Sequence, residues 1–385
     1  MKLADVRKVL HRLAETAHKE EQTAAYVIER LQKSGIGNIR KGIGGHGILA
    51  TVDSGREGPS ILFRAELDAL PIDESIDVPH ASRTKGVSHK CGHDGHMTIL
   101  LGLAAELREN PPTKGRIYLL FQPAEETGEG AERMLNDSRL QDLAPDHVFA
   151  LHNLPGFPLQ TVILRDGIFA AGSWGLIVRL KGITAHAAHP EEAKTPASAT
   201  ANLIHEWQNL PRTVIPFDHA GLVTVIHARM GEQAFGTTPG YAEVMATLRA
   251  HDSGDLEKLG ERAVELARME AQKWDLEMEY EWTERFQPTI NNSGAVKLVE
   301  KVAQELKEKS GGETVPEVIR RPQPFSWSED FGRFTERFSG ALFGLGSGTD
   351  QPHMHNPSFD FPDEILRTGV LLFSGIIDAA GLRDR

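Results

Sequence analysis

Cys91 is the only cysteine in 385 residues, and it lies in the chain's densest run of metal-capable side chains, Ser88-His89-Lys90-Cys91-Gly92-His93-Asp94-Gly95-His96. A thiolate and an imidazole two residues apart, at the start of an apolar helical segment, can face one cation. The positive end of the helix favours the thiolate that ligation needs. Spacing alone leaves two other roles open to Cys91. One is a buried structural residue, which its polar neighbours argue against; the other is a nucleophile with His93 or His96 as base. Glu125-Glu126 is the second signal. Adjacent carboxylates after an apolar run repel each other unless a cation lies between them or one stays protonated. In a metal hydrolase such a pair divides the work, one carboxylate binding metal and the other abstracting a proton from water.

His152 closes a third apolar run, and His355 lies in the loop His353-Met354-His355-Asn356-Pro357. Together Cys91, His93, Glu126, His152 and His355 offer five sulfur, nitrogen and oxygen donors, enough for two borderline divalent metals such as Zn²⁺ or Mn²⁺ sharing a water. Asp68 would orient a ligand from behind.

These residues need a scaffold that delivers them to one place. Ile61-Leu62-Phe63, Ile117 to Phe121 and Val148 to Leu151 are short apolar runs that turn polar over Arg64 to Asp68, over Gln122 to Glu126 and at His152-Asn153. Continuous apolar strands separated by helical segments such as Met97 to Leu107 predict a parallel sheet covered on both faces, with ligands bound beyond the strands' carboxyl ends. Ahead of them, Val6 to Leu31 carries helical spacing that stops at Gly35. From Trp174 the rhythm changes. Strands over Trp174–Leu180, Gly221–Arg229, Tyr241–Arg249 and Leu276–Trp282 alternate with helices over Pro196–Leu210 and Leu256–Trp274. This is the β-α-β-β-α-β order of a ferredoxin-like unit. In its last strand Leu276, Met278, Tyr280 and Trp282 alternate with glutamates, which predicts one buried face. A helical pattern resumes at Ala295, and Ala341 to Gly346 predicts a final strand leading to His355. The fold class expected is α/β: a catalytic domain over 1–173 and 289–385 with a mostly parallel sheet, interrupted by an inserted ferredoxin-like lid or dimerisation domain over 174–288.

Composition excludes other classes. A net charge of −12 argues against nucleic-acid or anionic membrane partners. The longest apolar stretches, 99–107 and 369–377, fall short of a bilayer span. A charged start without an apolar run and a single cysteine predict a cytoplasmic protein.

Taken in order, Arg64 to Pro71, Cys91 to His96, Phe121 to Glu126, Leu151-His152-Asn153, Gly182 to His189, Ser328 to Phe331 and His355-Asn356-Pro357 resemble the successive signatures of the amidohydrolase branch of the di-metal aminoacylase/carboxypeptidase family. That branch includes hippurate hydrolases, indole-acetyl-amino-acid hydrolases and N-acetyl-diaminopimelate deacetylases. The resemblance runs from about residue 45 to 365. It implies cleavage of N-acyl amino acids, or related N-acyl amines, with two divalent ions (Zn, Mn, Co or Ni) held by Cys91, His93, Glu126, His152 and His355. It further implies Glu125 as general base and later proton donor, and His186 directed at the substrate's oxyanion, often across a dimer interface. Asp68 completes the expected catalytic set. Arg249 and Gly236 are the expected substrate-binding positions, and a homodimer or larger homo-oligomer through the lid is the expected assembly.

Three positions depart from the family's pattern. Ala17-His18-Lys19-Glu20 stands where a Pro-Glu pair is usual. Glu66 is one methylene longer than the usual Asp. Gly236-Thr237-Thr238-Pro239 stands where Asn-Val-Ile-Pro is usual, which is expected to remove an amide contact to a substrate carboxylate. Two competing readings are a dipeptidase or carboxypeptidase on the same scaffold and a non-catalytic metal-binding protein.

Overall fold

The computed structural model describes residues 2–383 and holds fourteen strands and nine α-helices among them, numbered in chain order. The chain divides into two compact units: Met1–Phe169 with Thr289–Pro324 and Asp330–Arg385, and Ala170–Pro288 with Phe325–Glu329.

The first unit is built on eight strands: β1 (Ile39–Ile43), β2 (Gly47–Asp53), β3 (Ser60–Glu66), β4 (Arg116–Gln122), β5 (His147–Leu154), β6 (Val162–Leu164), β13 (Val318–Arg320) and β14 (Gly340–Gly346). Their order in the sheet is β1-β2-β4-β3-β5-β14-β6-β13. The apolar runs at the centre, β4-β3-β5-β14, are mutually parallel, as continuous hydrophobicity on both faces requires. The antiparallel β1-β2 hairpin extends one edge, and β6 runs antiparallel to β14. A separate two-stranded sheet joins β7 (Gly167–Ala170) to β12 (Thr289–Asn291).

Helices α1 (Leu3–Arg12), α2 (Glu21–Lys33), α3 (His93–Glu109), α7 (Ser293–Ser310) and α9 (Leu366–Ala379) cover the sheet, with the short α4 (Gly130–Leu135) following β4 and the short α8 (Gly332–Arg337) leading into β14. The α3 helix is apolar on nearly every side because it packs against β3, α1, α2 and α9 at once. Ile99, Leu103, Phe63, Phe149, Phe343 and Phe373 form the middle of one continuous core.

The helical stretch expected over Val6–Leu31 is two helices. Between them the Ala69 N–H donates to the Glu15 carbonyl at 2.8 Å, Thr16 bridges to Ala69, and His18 adopts a left-handed φ of 66°. The buried Glu20 carboxylate receives the N–H groups of His18 at 3.0 Å and Ala124 at 2.8 Å. Tertiary hydrogen bonding here overrides helical periodicity.

The second unit has β8 (Gly172–Lys181), α5 (Ala197–Val214), β9 (Gly221–Met230), β10 (Tyr241–Ala250), α6 (Ser253–Lys273) and β11 (Glu277–Phe286). Its all-antiparallel sheet has the order β11-β8-β10-β9. This is the ferredoxin-like arrangement, with its own core around Trp174, Leu203, Trp207, Leu248 and Leu259. The β11 face is less buried than its alternation predicts. Met278 and Trp282 are half-buried, and Tyr280 is 43% exposed under the Arg268 guanidinium, because β11 is an edge strand. Residues 325–329 join this unit through Ala171, whose N–H lies 3.1 Å from the carbonyls of both Phe325 and Trp327. Among the described residues no helix is long and apolar enough to cross a membrane.

Candidate metal centre

Parallel register brings the polar ends of the central strands level: Glu66 pairs with Gln122, and Gly344 with His152. Asp68 follows β3, Glu125-Glu126 follows β4, His152 lies in β5, and His355 sits in the loop after β14. Cys91 and His93 lie at the start of α3. All five expected metal donors are thereby gathered. The ligand atoms of Cys91, His93 and His152 lie within 4.8 Å of one another, as do those of Cys91, Glu126 and His355, and those of His93, Glu125 and Glu126. Cys91 is shared by the first two groups and His93 by the first and third. The five donors therefore form one connected set with Glu125 at its side.

The orientation of the imidazoles is fixed from behind. His93 Nδ1 is 2.8 Å from the Asp68 carbonyl, and His152 Nδ1 is 2.9 Å from the Asn153 carbonyl. A carbonyl only accepts, so both Nδ1 atoms carry the proton and both Nε2 atoms keep a lone pair. His93 Nε2 is buried, has no hydrogen-bond partner, and lies 3.8 Å from both Glu125 Oε2 and Glu126 Oε1. Burial, reinforced by His96 and His152 against the opposing pull of Glu66, drives His93 well below the ordinary imidazole range, so the ring is neutral at pH 7. His355 is exposed, and the partial desolvation of its ring lowers it from the ordinary imidazole value. Neutral imidazoles, a thiol and carboxylates gathered this closely suit a cation. This thiol, imidazole and carboxylate set fits a pair of borderline divalent ions.

Asp68 acts on this set by two routes. Its carbonyl holds His93, and its carboxylate Oδ2 receives the Glu126 N–H at 3.0 Å. Burial pushes its carboxyl up to about 7, against that hydrogen bond. Glu125 is buried, and its Oε1 lies 3.4 Å from the Asp330 N–H. The preceding Ala124 has a left-handed φ of 52°, held by the Glu20 hydrogen bond, and this turn sends Glu125 inward. A fourth grouping, Glu66, His93 and His96, differs in kind. His96 Nδ1 meets Glu66 Oε2, and His96 Nε2 meets Asn153 Oδ1, each at 2.7 Å, so its nitrogens are already engaged.

Behind the Cys91 and His355 loops lies a buried ionic cluster. Arg7, 1% exposed, pairs with Asp94 at 3.1 Å and Asp360 at 2.8 Å. His11 bridges Asp94 at 2.8 Å and Glu74 at 2.9 Å. Lys90 Nζ reaches Glu74 at 2.6 Å and the Phe359 carbonyl at 2.8 Å. The His355 N–H in turn donates to the Lys90 carbonyl at 2.8 Å. Burial alone would lower His11; Asp94 and Glu74 outweigh it and raise it to about 9. Against an unfolded value of about 6.5, the imidazolium stabilises the fold fully below pH 6.5. That contribution, on the order of 3 kcal/mol, is lost as pH rises through 9. Urea unfolding at pH 6 and 9.5 is expected to show this loss, and His11→Gln is expected to shrink it. An equal loss in the variant contradicts the assignment.

The other expected residues belong to the second unit. His186 is exposed, and its Nδ1 accepts the Ala188 N–H at 3.1 Å. Gly236 is exposed, its carbonyl accepts the Ala187 N–H at 3.0 Å, and a Cβ there would meet nothing within 4 Å. Half-buried Arg249 donates to the Ser326 carbonyl at 3.1 Å and to Ser328 Oγ at 2.9 Å. It borders a cavity of about 240 Å³ lined by Ala171, Leu222 and His251. Sequence reasoning missed the support from Glu20, Asp330 and the Arg7–His11 cluster. Arg64 and Glu66 carried a readable signal, since charges inside an otherwise apolar strand require buried partners.

Residues 62–379 match the family described as Peptidase family M20/M25/M40. The chain is 33% identical over 362 residues to the hippurate hydrolase of Campylobacter jejuni, covering 94% of this chain and 92% of that protein. It is 31% identical over 374 residues to the N-acetyl-L-cysteine deacetylase of Bacillus subtilis, covering 96% and 86%. In fold it matches the YXEP protein of Bacillus subtilis, described as a dinuclear metal binding peptidase, with a TM-score of 0.79 and 24% identity over 98% of this chain and 96% of that one. The family match over most of the chain and these relatives show that the chain belongs to peptidase family M20/M25/M40.

Proposed function

We propose that the protein hydrolyses the amide bond of N-acyl amino acids, releasing a carboxylic acid and a free amino acid, with two divalent ions held by Cys91, His93, Glu126, His152 and His355. The observation that carries the reading is His93 Nε2, buried without a hydrogen bond and 3.8 Å from both Glu125 and Glu126. The family and the N-acyl amino acid hydrolases among its relatives support it.

The bound ions supply Lewis acidity toward the scissile carbonyl and toward water. Glu125, steadied by the Asp330 N–H, accepts a proton from the attacking water and later passes it to the leaving nitrogen, which regenerates the carboxylate. Asp68 holds the His93 ring and the Glu126 main chain in register. His186 is the proposed donor to the developing oxyanion. Arg249 is the proposed anchor for a substrate carboxylate. Gly236, open and without a side chain, brings no amide to that group. A thiolate donor requires reducing surroundings, which favours a cytoplasmic setting. Homodimerisation is proposed through the second unit, whose ten-residue edge strand β9 exposes Leu222, Ile226 and Met230.

A hydrolysis screen tests the substrate class. N-acetyl and N-benzoyl amino acids are expected to turn over far faster than dipeptides; the reverse preference assigns the site to a dipeptidase.

A further inference from the structure

A buried hydrogen-bonded chain, lying outside the donor set, joins the proposed base to one of the proposed donors. It starts at Glu125 Oε1, which receives the Asp330 N–H at 3.4 Å. The Asp330 carboxylate accepts Arg64 Nη2 at 2.6 Å and Gln122 Nε2 at 2.7 Å. Arg64 Nη1 donates to Glu66 Oε1. Glu66 Oε2 meets His96 Nδ1 at 2.7 Å, His96 Nε2 meets Asn153 Oδ1 at 2.7 Å, and the Asn153 carbonyl takes the His152 Nδ1–H at 2.9 Å. Arg64, Glu66, His96, Asn153 and Asp330 are each at most 2% exposed.

Glu66 is the link between the two halves. Its oxygens are not interchangeable, since one faces the guanidinium and the other the imidazole. A side chain one methylene shorter, by about 1.5 Å of reach, cannot keep both contacts without backbone movement. In a site from which water is excluded, losing Glu66 takes from Arg64 one of its two buried carboxylate partners and from His96 the partner of its Nδ1, which loosens both halves of the chain.

We propose that Glu66 is a positioning residue for both sides of the reaction centre. Through Arg64 and Asp330 it fixes the Glu125 carboxylate, and through His96 and Asn153 it fixes the His152 ring. The inference rests on the base and donor set proposed above. It adds that the length and the charge at position 66 set turnover and metal affinity together.

Two variants separate charge from reach: Glu66→Gln keeps the shape and removes the charge, and Glu66→Asp keeps the charge and shortens the side chain. Each is assayed for kcat and KM on an N-acyl amino acid and for Zn²⁺ affinity by competition with a chromophoric chelator, with thermal unfolding as a control on the fold. Both are expected to lose roughly 10- to 100-fold in metal affinity, as is usual when a ligand's supporting partner is removed. A kcat loss of about tenfold or more is expected alongside it, with KM held within about threefold. A folded variant with both kcat and metal affinity within about twofold of wild type overturns the inference, and so does loss of one without the other. Should Glu66→Gln fail to fold, Glu66→Asp decides. Wild-type protein that binds no metal overturns the site reading and this inference with it, whereas wild-type-like variants overturn the inference alone.

Discussion

Glu125→Gln is expected to bind its metals as wild type does and to lose about 10³-fold in kcat. The amide keeps the volume of the carboxylate and can still lie beside the Asp330 N–H, so packing at this buried position is preserved. It cannot accept a proton from water at neutral pH. General base catalysis is worth roughly 10²–10⁴-fold, and a 10³-fold loss corresponds to about 4 kcal/mol of transition-state stabilisation. The five donors do not include Glu125, so metal content measured on the purified variant is expected to match wild type while steady-state turnover collapses. Retained turnover removes Glu125 from the mechanism. Collapsed turnover with collapsed metal content moves it to the donor set, in keeping with its closeness to His93 and Glu126.

Gly92→Ala is the second change with a large expected effect. Gly92 lies between two donors, caps the start of α3, and has φ +97°. An L side chain in left-handed backbone costs roughly 1–2 kcal/mol. A Cβ there would also stand 2.3 Å from Asn153 Oδ1 and 3.0 Å from the Phe361 ring, so Asn153 must leave its place against His96. Forced repacking of this kind costs about 1–3 kcal/mol. The expected result is a stability loss of about 2–5 kcal/mol in urea unfolding, with weakened metal binding, because Cys91 and His93 flank the displaced turn. Unchanged stability contradicts the geometry at the head of α3. Gly95 is under a similar constraint, since a Cβ there would stand 2.3 Å from the Phe361 ring.

The place of the candidate site was legible in the sequence for a physical reason. In a parallel sheet the apolar run ends where the strand leaves the core, and Asp68, Glu125 and His152 stand at or just past that point. Three short runs thus gave both the strands and the level at which chemistry occurs. The second unit was legible because its alternating segments are long and evenly spaced. What stayed hidden depends on partners far apart in the chain. The break between α1 and α2 follows from Glu20 bonding to Ala124, 104 residues on, which no local period encodes. Arg7 finds Asp360, and Arg64 finds Asp330, across similar or greater distances. The edge position of β11, which leaves Tyr280 exposed, is likewise a property of strand order and not of the alternation that predicted burial. Glu66 sits between the two cases. Its departure from the family's pattern was visible, and its two partners were not.

Amide hydrolysis is proposed to depend on two divalent ions held by Cys91, His93, Glu126, His152 and His355. The most direct test is to strip the protein with a chelator and titrate Zn²⁺ or Mn²⁺ back while following release of the amino acid from an N-acyl amino acid. Turnover is expected to be lost on chelation and to recover with saturation at two equivalents. Turnover that survives complete removal of metal contradicts this dependence, and would point to Cys91 as a nucleophile.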